Sequence, residues 1–157
     1  MTREEKNGFS YRIMQASPTE ITIILYEMAG VYIKDALDAN EGGSETEFRN
    51  SIRYARAVLN ELNHSLNLEY EISLNFMQIY LFINRALLKA SITGTVADLD
   101  RCVKMLDKLR DAFERIKTQD RRGPVMKNTQ QVYAGLTYGK GTLNESFGLE
   151  SNRGFRV

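Results

Sequence analysis

The sequence predicts an all-α fold, an antiparallel up-down four-helix bundle with a short N-terminal lead and an irregular C-terminal tail. Three observations point there. The only prolines of the 157 residues are Pro18 and Pro124, and the strongest breaks between them are Gly42-Gly43 and Gly94. Four segments, 18–40, 44–67, 73–92 and 96–117, carry apolar residues at helical spacing rather than in alternation. Each segment is roughly 20 residues, or about 30 Å as a helix, and connections this short favour antiparallel neighbours.

The first helix is predicted over residues 18–40. Ser17 can cap it, Pro18 suits the first helical position, and Glu20 stands three after the cap, where it can reach back to the Ser17 amide. Ile21, Leu25, Met28, Tyr32 and Ala36 share one face. A second stripe of Ile23, Tyr26, Gly30, Ile33 and Leu37 leaves only a narrow charged ridge of Glu20, Glu27, Lys34 and Asp38. The second helix, 44–67, opens with the capping-box spacing Ser44 to Glu47 and has a single apolar face through Phe48, Ile52, Ala55, Leu59, Leu62 and Leu66. The third, 73–92, is again two-faced: Phe76, Tyr80, Ile83 and Leu87 on one side, Leu74, Met77, Leu81, Leu88 and Ile92 on another. The fourth, 96–117, starts at Thr95 with Asp98 and has one stripe, Leu99, Cys102, Leu106, Leu109, Phe113 and Ile116.

These helices make one domain, residues 1–118. Residues 119–157 form a C-terminal extension rich in Gly, Asn, Ser and Thr, without a sustained period. Val132, Tyr133, Leu136, Tyr138 and Phe147 give it more apolar anchors than a disordered segment usually carries, so part of it is expected to pack on the bundle.

Composition excludes several functions. A formal charge of +1, with both signs interspersed, gives no field for nucleic acid or an anionic membrane. The apolar runs are too short for membrane insertion, and Met-Thr-Arg-Glu-Glu lacks the layout of a secretion signal. With a lone Cys102, the expected location is the cytoplasm. Glu61 and His64 form one Glu-x-x-His, but a di-iron bundle needs that motif on two helices and the chain has one histidine. Neither a metal nor a cofactor is expected. As a phosphotransfer residue, His64 is followed by Ser65-Leu66-Asn67-Leu68, which lacks the usual basic residue and glycine, so it reads as a solvated side chain. Cys102 falls on a buried stripe with no base to activate it, and no enzyme is predicted. Arg121-Arg122, with Arg115, Lys117 and Lys127, reads as the basic cluster common after a helix C-terminus.

The second stripes of the first and third helices admit two readings. Central helices of a bundle can be buried on more than one side; alternatively, the stripes line grooves for an amphipathic helix of another protein. Both readings predict the same pattern.

The stretch "IMQASPTEITIILYEMAGVYIKDAL" resembles the opening of the flagellin-specific secretion chaperones, the FliS family: a small residue, Ser-Pro, an acid, an apolar pair and Leu-Tyr before a long helix. "LNLEYEISLNFMQIYLFINRALLKASITGTVADLDRCVKMLDKLRDAFERI" is similar in its Tyr-containing helix with Asn84-Arg85, short break and Leu-rich helix. The resemblance runs from Ile13 to Lys117 and implies a non-enzymatic helical bundle. It also implies two partners, the C-terminal segment of flagellin, held in apolar grooves, and the export gate of the flagellar secretion apparatus. On this reading Ile23, Tyr26, Ile33, Leu37, Met77, Leu81 and Leu88 are the expected groove walls. Where family members carry a Pro-Tyr near the N-terminus, this chain has "KNGFSYRIM", so Phe9 and Tyr11, with Ile13 and Met14, stand in for the gate or groove contacts of the lead. Tyr133, Leu136 and Tyr138 are expected to lie against the bundle and flank a groove until flagellin displaces them. A monomer is expected, with oligomerisation left open. The alternative is a non-enzymatic four-helix adaptor for some other amphipathic helix.

Overall fold

A computed structural model describes residues 1–126 of the chain. Among the described residues there are five α-helices and no strand: α1 (Arg3–Gln15), α2 (Pro18–Glu41), α3 (Glu45–His64), α4 (Glu71–Thr93) and α5 (Leu99–Ile116), with a 3-10 turn at Lys117–Gln119. The four predicted helices are α2 to α5. No helix among the described residues is long and apolar enough to cross a membrane.

The N-terminal lead is itself a helix, which corrects the expectation for residues before Ser17. Thr2 and Glu5 close a capping box, the Glu5 N–H donating to Thr2 Oγ1 at 3.2 Å and the Thr2 N–H to Glu5 Oε2 at 2.6 Å. No residue of α1 is fully buried, and only Phe9, Ile13 and Met14 are half-buried, so the helix offers little periodic signal. It folds back along α2. Arg12 donates to Glu27 Oε2 at 2.6 Å, and Lys6 stands 5.2 Å over the Tyr54 ring of α3, itself 5.3 Å from Tyr32 of α2.

The helix boundaries follow local chemistry. Ser17 caps α2 as its spacing predicts, accepting from the Glu20 N–H at 3.3 Å while its own N–H donates to Glu20 Oε2 at 2.8 Å. Ser44 makes no side-chain cap bond despite the same spacing. Gly43 and Gly94, at φ of 72° and 70°, adopt the left-handed conformation that lets the chain reverse after α2 and α4. α3 stops at His64 rather than residue 67, and α5 starts at Leu99 rather than residue 96 because a turn, Leu99 N–H to Val96 carbonyl at 2.9 Å, precedes it.

Packing is organised around α2, which lies against α1, α3 and α5; α3 also packs on α4, and α4 on α5. Both stripes of α2 therefore turn inward: Leu25, Ala29 and Ala36 from one side, Tyr26 and Ile33 from the other, all sit in the core with Ile52, Leu59, Leu87 and Leu106. Within it the hydroxyls of Tyr26 and Tyr80 pair at 2.5 Å. The Tyr26 ring also meets Phe113 edge-on at 5.5 Å, and Phe113 meets Phe76 at 5.6 Å, so one aromatic cluster joins α2, α4 and α5. Burial raises both phenols above the ordinary tyrosine value, Tyr26 far above it, so each stays protonated and can serve the other as donor or acceptor.

Two stability outcomes follow. Tyr26→Phe leaves the Tyr80 hydroxyl without its partner and costs about 1–3 kcal/mol in urea unfolding, whereas Tyr26→Phe with Tyr80→Phe costs less than the two single changes summed; strict additivity would contradict the pairing. Gly30 lies inside α2 with nothing within 4 Å of the position a Cβ would take, so Gly30→Ala raises stability by roughly 0.5–1 kcal/mol. A loss of stability would show that the space is already filled.

Candidate partner-binding surface

α4 repeats its burial every seven residues. Ser73, Tyr80 and Leu87 point inward, and Leu74, Leu81 and Leu88, each one residue later and so about 100° round the helix, point to solvent. Leu74 is 46%, Leu81 42%, Leu88 42% and Ile92 75% exposed. Met77, half-buried, lies at the edge of the same stripe. Ile72 and Phe82 are exposed as well, off the line of the stripe. The charged residues of α4 are Glu71, Arg85 and Lys89; Arg85, four residues after Leu81 and three before Leu88, and Gln78, four after Leu74, lie on the same face, so the stripe is a row of exposed apolar side chains interleaved with polar ones.

The roll of α4 is set by ties on both flanks. Toward α3, Arg56 Nε donates to Asn84 Oδ1 at 2.9 Å, and Asn84 Nδ2 donates to Asn60 Oδ1 at 3.2 Å. Toward α5, the Arg101 guanidinium lies 5.2 Å over the Phe82 ring, and Lys89 stands 3.7 Å from Asp98. With the Tyr80 hydroxyl fixed in the core, these contacts hold the Leu74–Leu81–Leu88 edge outward. That geometry offers an amphipathic helix or extended apolar segment a row of anchors at helical spacing.

The residues expected to wall grooves divide sharply. Leu81 and Leu88 are exposed and Met77 is at their edge, so the α4 members are brought together on one face. Tyr26 and Ile33 are core residues, 1% and 0% exposed, and cannot wall an open groove in this conformation, because α1, α3 and α5 surround α2. Leu37 is half-buried against that core. Ile23 is buried, forming part of a cleft of about 300 Å³ between α1, α2 and α5 that Tyr11, Arg12, Glu114 and Lys117 also line. Of the four lead residues, Phe9, Ile13 and Met14 turn partly inward and Tyr11 outward. Tyr133, Leu136 and Tyr138 lie outside the described residues. Leu74 and Ile92 belong to the stripe legible in the sequence; Ile72 and Phe82 fall off its period and carried no signal.

Cys102 is fully enclosed, and burial pushes its thiol up to about 11, leaving it protonated and inert. His64 ends α3 in solvent. Among the described residues no three His, Cys, Asp or Glu side chains converge as a metal site would require.

The flagellar secretion chaperone FliS of Bacillus subtilis (strain 168) is 28% identical over 110 residues, covering 68% of this chain and 80% of that protein. The model of the family described as flagellar protein FliS matches residues 1–120, which takes in all five helices. The chain belongs to the FliS family of flagellar proteins.

Proposed function

We propose that this protein is a cytoplasmic export chaperone for flagellin, holding the C-terminal segment of flagellin on the outward face of α4. The observation that carries the reading is the row Leu74, Leu81 and Leu88, exposed at seven-residue spacing on one face of α4. On this reading α2 to α5 form an antiparallel up-down four-helix bundle, with α1 laid along α2. Leu81 and Leu88 are the central anchors and Met77 borders them. Tyr26 and Ile33 act from within, by fixing α2 and, through Tyr80, the roll of α4; Leu37 packs against the same core, and Ile23 lies apart, in the cleft between α1, α2 and α5.

The physics is coupled folding and binding. A flagellin segment without fixed structure loses conformational entropy when it orders on the chaperone, and burial of the α4 row must exceed that cost. Covering the segment keeps it from assembling into filament in the cytoplasm and leaves it competent for export, with Tyr11, exposed on α1, available to the export gate. The chaperone works by occupancy, with no catalytic step.

The variant Leu81→Asp with Leu88→Asp tests this directly. Both sites are exposed, so the helical circular dichroism stays at the wild-type value, while two lost anchors weaken capture of co-expressed full-length flagellin by about 100-fold or more. Wild-type capture by this variant would overturn the α4 site. Ile33→Asp should instead unfold the protein, because it places an unpaired carboxylate in the core.

A further inference from the structure

Beyond α5 the chain turns back over the start of α2. The 3-10 turn Lys117–Gln119 delivers Asp120 to Thr19, whose backbone N–H and hydroxyl donate to Asp120 Oδ2 at 3.1 and 2.7 Å. Thr19 stands in the first turn of α2, where backbone N–H groups have no partner within the helix. Pro18 has no N–H and Ser17 takes that of Glu20, so Asp120 satisfies the remaining free donor of the turn from a distant part of the chain.

Arg122 holds this carboxylate in place. Its Nε donates to Oδ1 at 2.7 Å, its Nη2 to Oδ2 at 2.9 Å, and its backbone N–H to Oδ1 at 3.1 Å. The Asp120 side chain is only 5% exposed. The Arg122 guanidinium, and then the Thr19 hydroxyl, keep the Asp120 carboxyl well below the usual carboxylate range, so it is charged throughout the physiological pH range. Farther along, the Val125 N–H donates to the Ala16 carbonyl at 3.1 Å.

These contacts straddle a single joint. Ala16 is the one residue between the last residue of α1 and Ser17, the cap of α2, and both Ala16 and Ser17 are buried although α1 buries none of its own residues. The rest of α1 is held by the half-buried Phe9, Ile13 and Met14, and by an ion pair and one cation–π contact at the surface, the last two individually worth no more than about 1 kcal/mol. We propose that residues 120–125 are a clasp on the α1–α2 joint, and that α1 stays docked along α2 only while Asp120 and Val125 hold Thr19 and Ala16. A cap serving α2 alone would need Asp120 but not the second attachment on the α1 side.

Amide hydrogen exchange of the full chain distinguishes the two roles. In Asp120→Ala, amides of residues 3–15 are expected to exchange on the order of 10-fold faster than in the wild type, with α3 to α5 unchanged. Faster exchange confined to the first turn of α2 would reduce the clasp to a local helix cap and overturn the proposal, as would unprotected exchange of α1 in the wild type. Arg122→Gln, which leaves Thr19 bonded to Asp120, covers the case in which Asp120→Ala fails to fold. It should accelerate residues 3–15 to a smaller degree, and no acceleration there would also overturn the proposal.

Discussion

α2 carries apolar side chains round most of its circumference, and a helix of that kind is stable in water only if neighbours cover it on several sides. Its 24 residues are met by α3 and α5 on two flanks and by α1 on a third. The remaining arrangement follows. With α3 and α5 committed to α2, α4 closes the far side of the core, reaching α2 through the Tyr80 hydroxyl and leaving its own second stripe with nothing in the described chain to pack against.

The Tyr26–Tyr80 pair sets the orientation that makes this consequential. Two phenols in an apolar core carry a desolvation cost that is offset only while each is the other's partner. A rotation of α4 that hid Leu81 would pull Tyr80 from Tyr26 and Asn84 from Arg56 and Asn60. Burial of one stripe and exposure of the other are thus coupled, and the apolar face is a product of how the core is satisfied.

Much of this was legible in the sequence, and the gaps have physical causes. The cap of α2, the single buried stripes of α3 and α5 and the inward stripe of α4 follow from spacing alone. The second stripes of α2 and α4 look alike as patterns yet have opposite fates, because burial depends on how many helices surround each one, and periodicity does not count neighbours. Hence the pattern does not separate Leu81 and Leu88, which are exposed, from Tyr26 and Ile33, which are core. The capping-box spacing proved ambiguous: Thr2 and Glu5 use it to start α1, Ser17 and Glu20 to start α2, and Ser44 does not use its side chain at all. The Asp120–Thr19 contact joins residues too distant in the chain for any local pattern to link them.

The proposed role of the exposed face of α4 is to hold flagellin. Calorimetric titration of the full chain with the C-terminal segment of flagellin from the same organism, at two or more temperatures, tests it most directly. Saturation near equimolar ratio with a negative heat-capacity change, the mark of apolar burial, is the predicted result. Absence of binding at every temperature, by that segment and by full-length flagellin alike, would contradict it.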